Sequence, residues 1–365
     1  MKFIVARKEF ADALKIVLKA VAVKAQTPIL SGIYLKADGS TLEMQATDHT
    51  ICIKTKIPAV AEEDGETVIL GKKLFEIVQK LTGDTLTIST AENFAEIRSA
   101  GSKFKLLEYA AEDFPKMQAE ENLQTFTFRQ WQMKKLLKET VFAAAKEGEG
   151  RPVFEGVFFH FNGEKLRMAA TNTHRLAVTS TDLASPFDGE IKFLVPAKTL
   201  EEVEKLLLDG TLKVTFSNRT ATFDLGNVLI VTRLISGDFP NFDRLLHEEK
   251  TIFARTNSEE LLSALERISV IAKDTEYQTV TLHFSDDGIE IKTRSAEIGE
   301  ADERVVAVVE GGDLDISFNY NYLIDVLKAA EGKVTIGLSE KLKPIDFHFD
   351  EEKNFVYIVT PVRTV

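Results

Sequence analysis

Residues 151–174 read RPVFEGVFFHFNGEKLRMAATNTH, and residues 27–50 read TPILSGIYLKADGSTLEMQATDHT. Aligned without a gap, Pro28 falls on Pro152, Gly32 on Gly156, Gly39 on Gly163, Leu42 on Leu166 and Met44 on Met168. Ala46-Thr47-Asp48 then falls on Ala170-Thr171-Asn172. Proline fixes φ and glycine supplies the positive φ of a turn, so matches at these types imply one backbone path used twice. A repeat of this kind decides the architecture before any single residue is interpreted.

Outward from that stretch the same order recurs. In the first pass a strand, FIVAR, precedes a helix over residues 8–21, where Phe10, Leu14, Val17, Leu18 and Val21 share one face. Strands at 33–37 and 42–55 turn at Asp38-Gly39; VIL (68–70) leads into a helix from Lys72 to Leu81. Strands at 85–90 and 95–109 then reach Asp113-Phe114-Pro115. The second pass runs from FTFRQ into a helix over 129–146, a hairpin at Asn162-Gly163, KFLVP, and a helix over 197–208. Its three last strands end at Asp238-Phe239-Pro240. In the third pass TIFART precedes a helix with Leu261, Leu265, Ile268 and Ala272 on one face, and a hairpin turns at Asp287-Gly288. ISFNYNYLIDVLKAA joins strand to helix, and KVTIGLS, PIDFHF and NFVYIVTP close the chain. The expected fold is α+β, a unit of roughly 120 residues used three times. The polar stretches MQAEENLQ and LHEEK place the domains at 1–122, 123–248 and 249–365.

Composition bounds the function. Hydrophobic residues make up 44% and charged residues 28%, ordinary for a globular protein. No apolar run approaches the roughly 20 residues that span a bilayer. MKFIVARKEF carries early charges and no apolar h-region, so no secretory signal is expected. The one cysteine, Cys52, cannot form an intrachain disulfide, which suits a reducing compartment. A net charge of −12 argues against a general nucleic-acid binder. Yet the six expected helices carry +6 together, leaving −18 for the rest. Lysine on a solvated helix face explains this blandly. The sharper reading lines one surface with equivalent helices, whose lysines and arginines meet phosphates without reading bases.

No catalytic constellation emerges. Cys52 lies in an alternating strand, ICIK, where an inert buried thiol is the default. The six histidines form no HxH or HExxH pair, so no metal is expected. Gly65 to Lys73 glances at a phosphate loop, but five residues separate its glycines and Lys stands where Ser or Thr should follow. Asp113 and Asp238 recur in corresponding DFP turns, which favours a structural role over an acid–base pair. His174 alone reads as a satisfied core histidine. The first repeat, however, has Thr50-Ile51-Cys52 where the second has His174-Arg175-Leu176. His-Arg-Leu is therefore not needed for the shared fold, and a departure from a repeat is where function is added.

MKF at the start, TPIL (27–30), ATNTHRLA (170–177), DFPNF (238–242), FNYNYLIDVL (318–327) and the closing VTPVR together resemble the bacterial DNA polymerase III β subunit family, the replicative sliding clamps. The resemblance covers the whole chain. It implies three clamp-type domains, each with two helices packed on antiparallel sheets, and a head-to-tail homodimer closed into a ring. Strand pairing between first and third domains would seal the ring, with Phe104 and Leu106 meeting Ile271 and Ala272 of the partner subunit. It implies a non-catalytic, cofactor-free processivity factor of the cytoplasm and nucleoid that encircles duplex DNA and tethers polymerase, clamp loader and repair proteins. Lys24, Lys134, Lys138, Arg151 and Lys198 would meet DNA.

The family binds partners through a short, Gln-led, apolar peptide. Carried over, its pocket comprises Phe154, Thr171, Thr173, His174, Arg175, Leu176, Pro240, Arg244 and Leu245. Tyr277, Asn319, Tyr322, Leu342, Pro344, Val359, Thr360, Pro361, Val362 and Arg363 complete it. Thr173 stands where the family often has Gly, Phe154 where it has Leu, and Thr360 where Met is frequent; the chain also runs two residues past Arg363. These departures leave the preferred peptide open. The competing class is a repeat-built scaffold or adhesion protein without DNA, which would show no retention on circular DNA.

Overall fold

The structure is a computed structural model, and it describes residues 1–22, 27–115 and 124–363. The first pass comprises β1 (Lys2–Ala6), α1 (Arg7–Val17), β2 (Gly32–Asp38), β3 (Thr41–Thr47), β4 (Ile51–Pro58), β5 (Val60–Glu63) and β6 (Gly65–Leu70). It closes with α2 (Gly71–Lys80), β7 (Thr85–Ala91), β8 (Phe94–Ser99) and β9 (Ser102–Tyr109). The second comprises β10 (Gln124–Arg129), α3 (Gln130–Thr140), β11 (Gly156–Thr171), β12 (Arg175–Pro196) and α4 (Ala197–Leu206). Three strands end it: β13 (Thr211–Phe216), β14 (Thr220–Asp224) and β15 (Val228–Arg233). A short helix, α5 (Asp243–Leu246), precedes β16 (Ile252–Asn257), α6 (Ser258–Ala272), β17 (Thr279–Ser285), β18 (Gly288–Ser295), β19 (Gly299–Val305) and β20 (Ala307–Glu310). The chain ends through β21 (Leu314–Asn319), α7 (Tyr320–Ala329), β22 (Lys333–Leu338), β23 (Ile345–Phe349) and β24 (Val356–Val359).

The order expected from sequence is present, with local differences. α3 stops at Thr140 rather than continuing to 146. Thr140 Oγ1 turns back to the Leu136 carbonyl at 2.7 Å, a bond that loosens helix continuation, and a tight 3-10 turn follows at Val141–Ala143. The strand expected over 42–55 breaks after Thr47 into a turn. α5 is too short to leave a periodic signature in the sequence.

Two compact units divide the chain, and they do not follow the repeat. Met1–Trp131 with Lys205–Leu234 holds a 13-stranded antiparallel sheet in the order β10-β13-β14-β15-β4-β3-β2-β6-β9-β8-β7-β1-β5. Its core includes Phe10, Ala13, Leu14 and Val17 of α1, with Phe3 edge-on to Phe10 at 6.4 Å. Gln132–Glu204 with Ile235–Val365 holds a seven-stranded sheet, β11-β12-β24-β23-β22-β16-β20, and a four-stranded one, β19-β18-β17-β21. Here α6 buries Leu261, Ala264, Leu265, Ile268 and Ala272 and packs against α7, β18 and β19. Strands of the second pass are thus shared between the two units. Of the expected domain boundaries, 122/123 lies outside the described residues, and 248/249 falls between α5 and β16.

The shared glycines prove to be of two kinds. Gly39 and Gly163 have φ of +55° and +58°, the left-handed turn conformation expected of them. Gly32 has φ −92°, and a Cβ there would stand 2.4 Å from Val68 Cγ1. Gly156 likewise leaves only 2.9 Å to Ile235 Cδ1. These two match because the backbone is crowded, which corrects the expectation of a turn. The DFP turns match through aromatics: Phe114 stacks on Tyr34 at 5.4 Å, and Phe239 on the equivalent Phe158 at 5.0 Å.

Candidate functional site

The turn between β11 and β12 is built twice. Thr171 Oγ1 donates to the Arg175 carbonyl at 2.6 Å and accepts from Thr173 N at 3.1 Å. Asn172 Oδ1 accepts from His174 N and Arg175 N, both at 3.1 Å. In the first repeat Thr47 Oγ1 donates to the Ile51 carbonyl at 2.9 Å and accepts from His49 N at 3.1 Å. Asp48 Oδ1 accepts from Thr50 N and Ile51 N at 2.8 and 2.9 Å. Thr173 and His49 share φ of +77° and +76°. The neighbouring strand repeats too: Thr360 N donates to the His174 carbonyl at 2.9 Å, and Arg233 N to the Thr50 carbonyl at 3.0 Å. The backbone device belongs to the fold, and only the side chains hung on it differ.

Those side chains fall into a floor and a rim. Arg175 reaches inward, its side chain 9% exposed, with Nη1 donating to Asp325 Oδ2 at 2.5 Å and Nη2 to the Phe142 carbonyl. Its guanidinium lies 4.7 Å from the Tyr322 ring centroid. It therefore supports the turn from beneath. Leu176 belongs to a buried cluster with Ala169, Val178, Phe242 and Ile358, against which Phe239 and Leu246 pack. Val359 and Thr171 are also buried. His174, by contrast, is exposed, its ring nearly parallel to Tyr322 at 6.4 Å. The core-histidine expectation fails because the repeat's turn throws this position outward.

The third repeat supplies the other wall. Tyr322 OH accepts from Asn172 Nδ2 at 3.4 Å, and its carbonyl accepts from Tyr357 OH at 2.8 Å. Asn319 caps α7, accepting from Asn321 N at 2.9 Å. Tyr277 is 65% exposed, Leu342 59% and Leu245 43%, and Pro240, Arg244 and Arg363 are exposed as well. Thr360, Pro361 and Val362 are half-buried, with Val362 N bonded to the Ser317 carbonyl at 2.8 Å. The Pro344 carbonyl accepts from Lys250 Nζ at 2.8 Å. Phe154 is half-buried, with the Arg151 guanidinium 5.8 Å from its ring centroid. Exposed apolar side chains around a rigid hydrogen-bonded turn suit the docking of an extended apolar segment.

The remaining expected positions are placed less decisively. Lys134 and Lys138 are exposed on α3, and Lys198 on α4, as is Arg151; Lys24 lies outside the described residues. Lys138 Nζ stands 3.8 Å from Glu331, and Lys198 Nζ 3.0 Å from Glu147. Phe104 is 41% exposed, Leu106 and Ile271 are half-buried, but Ala272 is wholly buried. Ala272 faces the core side of α6, so it offers no surface to a partner. Cys52 is buried, accepting from Gln45 Nε2 at 3.2 Å, and burial pushes its thiol up to about 11. Among the described residues no three His, Cys, Asp or Glu gather in a metal-binding group, and no helix is long and apolar enough to cross a membrane.

Three family models match in succession: DNA polymerase III beta subunit N-terminal domain over residues 1–118, central domain over 127–241 and C-terminal domain over 243–363. The chain belongs to the DNA polymerase III beta subunit family. The Bacillus subtilis (strain 168) beta sliding clamp is 29% identical over 378 residues, covering all of both chains. That of Staphylococcus aureus is 29% identical over 377 residues, again covering both. Among solved structures, the Bacillus subtilis DNA polymerase sliding clamp superposes with a TM-score of 0.93 at 29% identity and full coverage of both chains. A Pseudomonas aeruginosa sliding clamp bound to griselimycin gives 0.92 at 27%, also with full coverage.

In this member of the family, sequence reasoning missed the residues that hold the site in shape. Asn172 had a signal, its alignment with Asp48, and the structure shows that both accept from the backbone of the same turn. Asp325 and Phe142, which anchor Arg175, carry no sequence signal because they lie far from it in the chain.

Proposed function

We propose that this chain is a replicative DNA sliding clamp, a non-catalytic processivity factor that works as a head-to-tail dimeric ring around duplex DNA. The observation that carries this is the succession of three beta-subunit domains, matched over residues 1–118, 127–241 and 243–363. The ring slides because lysine–phosphate contacts are solvated and indifferent to sequence. It holds a bound polymerase at high effective concentration beside the primer end. Lys24, Lys134, Lys138, Arg151 and Lys198 face the DNA in this reading. The domains run 1–122, 123–248 and 249–365, and the protein acts in the cytoplasm, on the nucleoid.

Partner proteins dock an extended apolar peptide over the 172–176 turn, against Leu245, Tyr277, Tyr322, Leu342 and the segment Val359 to Arg363. The expected strand pairing between first and third domains joins the open edges of β9 and β19. Only Glu108 and Tyr109 of β9 pair with β6, which leaves Ser102–Leu107 an open side among the described residues. β19 is a sheet edge as well. The first edge carries Lys103 and Lys105, and the second carries Glu300 and Asp302 beside Arg304 and a Glu303 already paired with Arg267, so the charges of the edges are complementary at Glu300 and Asp302. Exposed Phe104, Leu107, Val270 and Ile298 supply the apolar part of the contact.

The test is topological. Loaded on nicked circular plasmid by its loader, the protein should stay bound through gel filtration and leave when the plasmid is cut. Retention on linear DNA would contradict the reading.

A further inference from the structure

One buried ammonium joins the segment after α5 to the loop before β23. The Lys250 side chain is 5% exposed, and its Nζ donates to the Pro344 carbonyl at 2.8 Å. Glu248 Oε2 and Asp346 Oδ2 stand 3.7 and 3.8 Å from that Nζ. The other Glu248 oxygen stands 3.7 Å from Lys343 Nζ, so this carboxylate lies between two lysines. His348 Nε2 completes the group, 3.3 Å from Asp346 Oδ1. Gly337 leaves the room: a Cβ there would come within 2.3 Å of Asp346 Oδ1 and 2.9 Å of Lys250 Cγ.

Lysine is almost never this dry unless paired, and a buried ion pair adds little net stability compared with apolar packing of the same volume. What such a pair does supply is fixed geometry, because breaking it leaves a charge stranded. Lys250 follows the segment that carries Leu245, and the carbonyl it holds belongs to Pro344, two residues beyond Leu342. We infer that Lys250 is a positioning residue for the partner-peptide site, fixing the separation of its Leu245 and Leu342 walls so that the pocket is preformed. This rests on the reading of those two leucines as pocket walls. A preformed pocket binds without first ordering the loop, so loosening the strap should weaken affinity and blunt discrimination.

The experiment uses the full-length protein and a fluorescent synthetic peptide, Gln-led with two leucines, read by anisotropy beside a version with both leucines changed to alanine. Lys250→Met keeps the stem and removes the donor. It should bind the leucine peptide about tenfold more weakly and prefer it less strongly over the alanine version, while Lys250→Arg restores both. Amide hydrogen exchange over residues 339–344 should quicken in Lys250→Met. Gly337→Ala, which pushes Lys250 and Asp346 apart without removing a charge, provides a second variant should Lys250→Met fail to fold. It should lose affinity in the same way. Wild-type affinity in a folded Lys250→Met or Gly337→Ala, with Leu342→Ala impaired, would overturn the inference alone. Wild-type affinity in both Leu245→Ala and Leu342→Ala would overturn the assignment of the walls, and the inference with it.

Discussion

Thr173 is a β-branched residue held at φ +77°, where an L side chain costs about 1–2 kcal/mol. The hydrogen bonds of its turn run through backbone and through Thr171 and Asn172, so glycine would keep them all. Thr173→Gly is therefore expected to stabilise the protein by about 1 kcal/mol, read as a higher denaturant midpoint. Glu139 on α3 is strained differently. Burial pushes its carboxyl up to about 7, against an ordinary 4.5, although Thr179 Oγ1 donates to it at 2.5 Å. Because the folded state holds the proton more tightly, the contribution is fully present below pH 4.5 and is lost as pH rises through about 7. Glu139→Gln should match the wild type near pH 4 and exceed it by up to about 3 kcal/mol at pH 8, by urea unfolding at both values. At this scale the repeat aligned Thr171-Asn172 with Thr47-Asp48, but the hydrogen bonds by which both pairs hold the turn became visible only in the structure. The sequence could not reveal that Arg175 points inward, since that depends on Asp325 arriving from another repeat.

Strand and helix order was readable because apolar spacing and the DG and NG turns are local signals, and the pattern had three chances to show itself. The limits of elements were less readable where a side chain competes with the backbone, as Thr140 does at the end of α3. The matched glycines carry a consequence for elements. Adding a methyl at Gly32 drives Val68 away from the β2–β6 pairing, so Gly32→Ala should cost about 1–3 kcal/mol, and Gly156→Ala a comparable amount, both by thermal or urea unfolding. Open strand edges were legible only through the family resemblance, which placed Phe104 and Leu106 at a joint, because pairing partners are set by tertiary structure. If β9 and β19 join chains, Leu107→Glu puts a like charge opposite the acidic edge. Its mass by light scattering should fall from about twice 40.7 kDa toward 40.7 kDa.

For the molecule as a whole, an acidic protein whose α1, α2 and α3 are basic fits a role in which binding comes from enclosure rather than from attraction. Retention on circular plasmid should therefore survive salt that strips ordinary DNA-binding proteins, and mutation of Lys134 and Lys138 to Glu should reduce loading more than lifetime once loaded. A scaffold without DNA would show neither behaviour. The division of the second repeat between two sheets reaches beyond this function. The segment that repeats in sequence is not the segment that packs as one compact unit. β12 leans on β24 and β15 on β4, so the middle third expressed alone would bare two strand margins, Arg175–Val178 and Val228–Thr232. Such a fragment is a seed for tangling with its neighbours, and any graft or chimera that cuts at the repeat seams severs those partnerships.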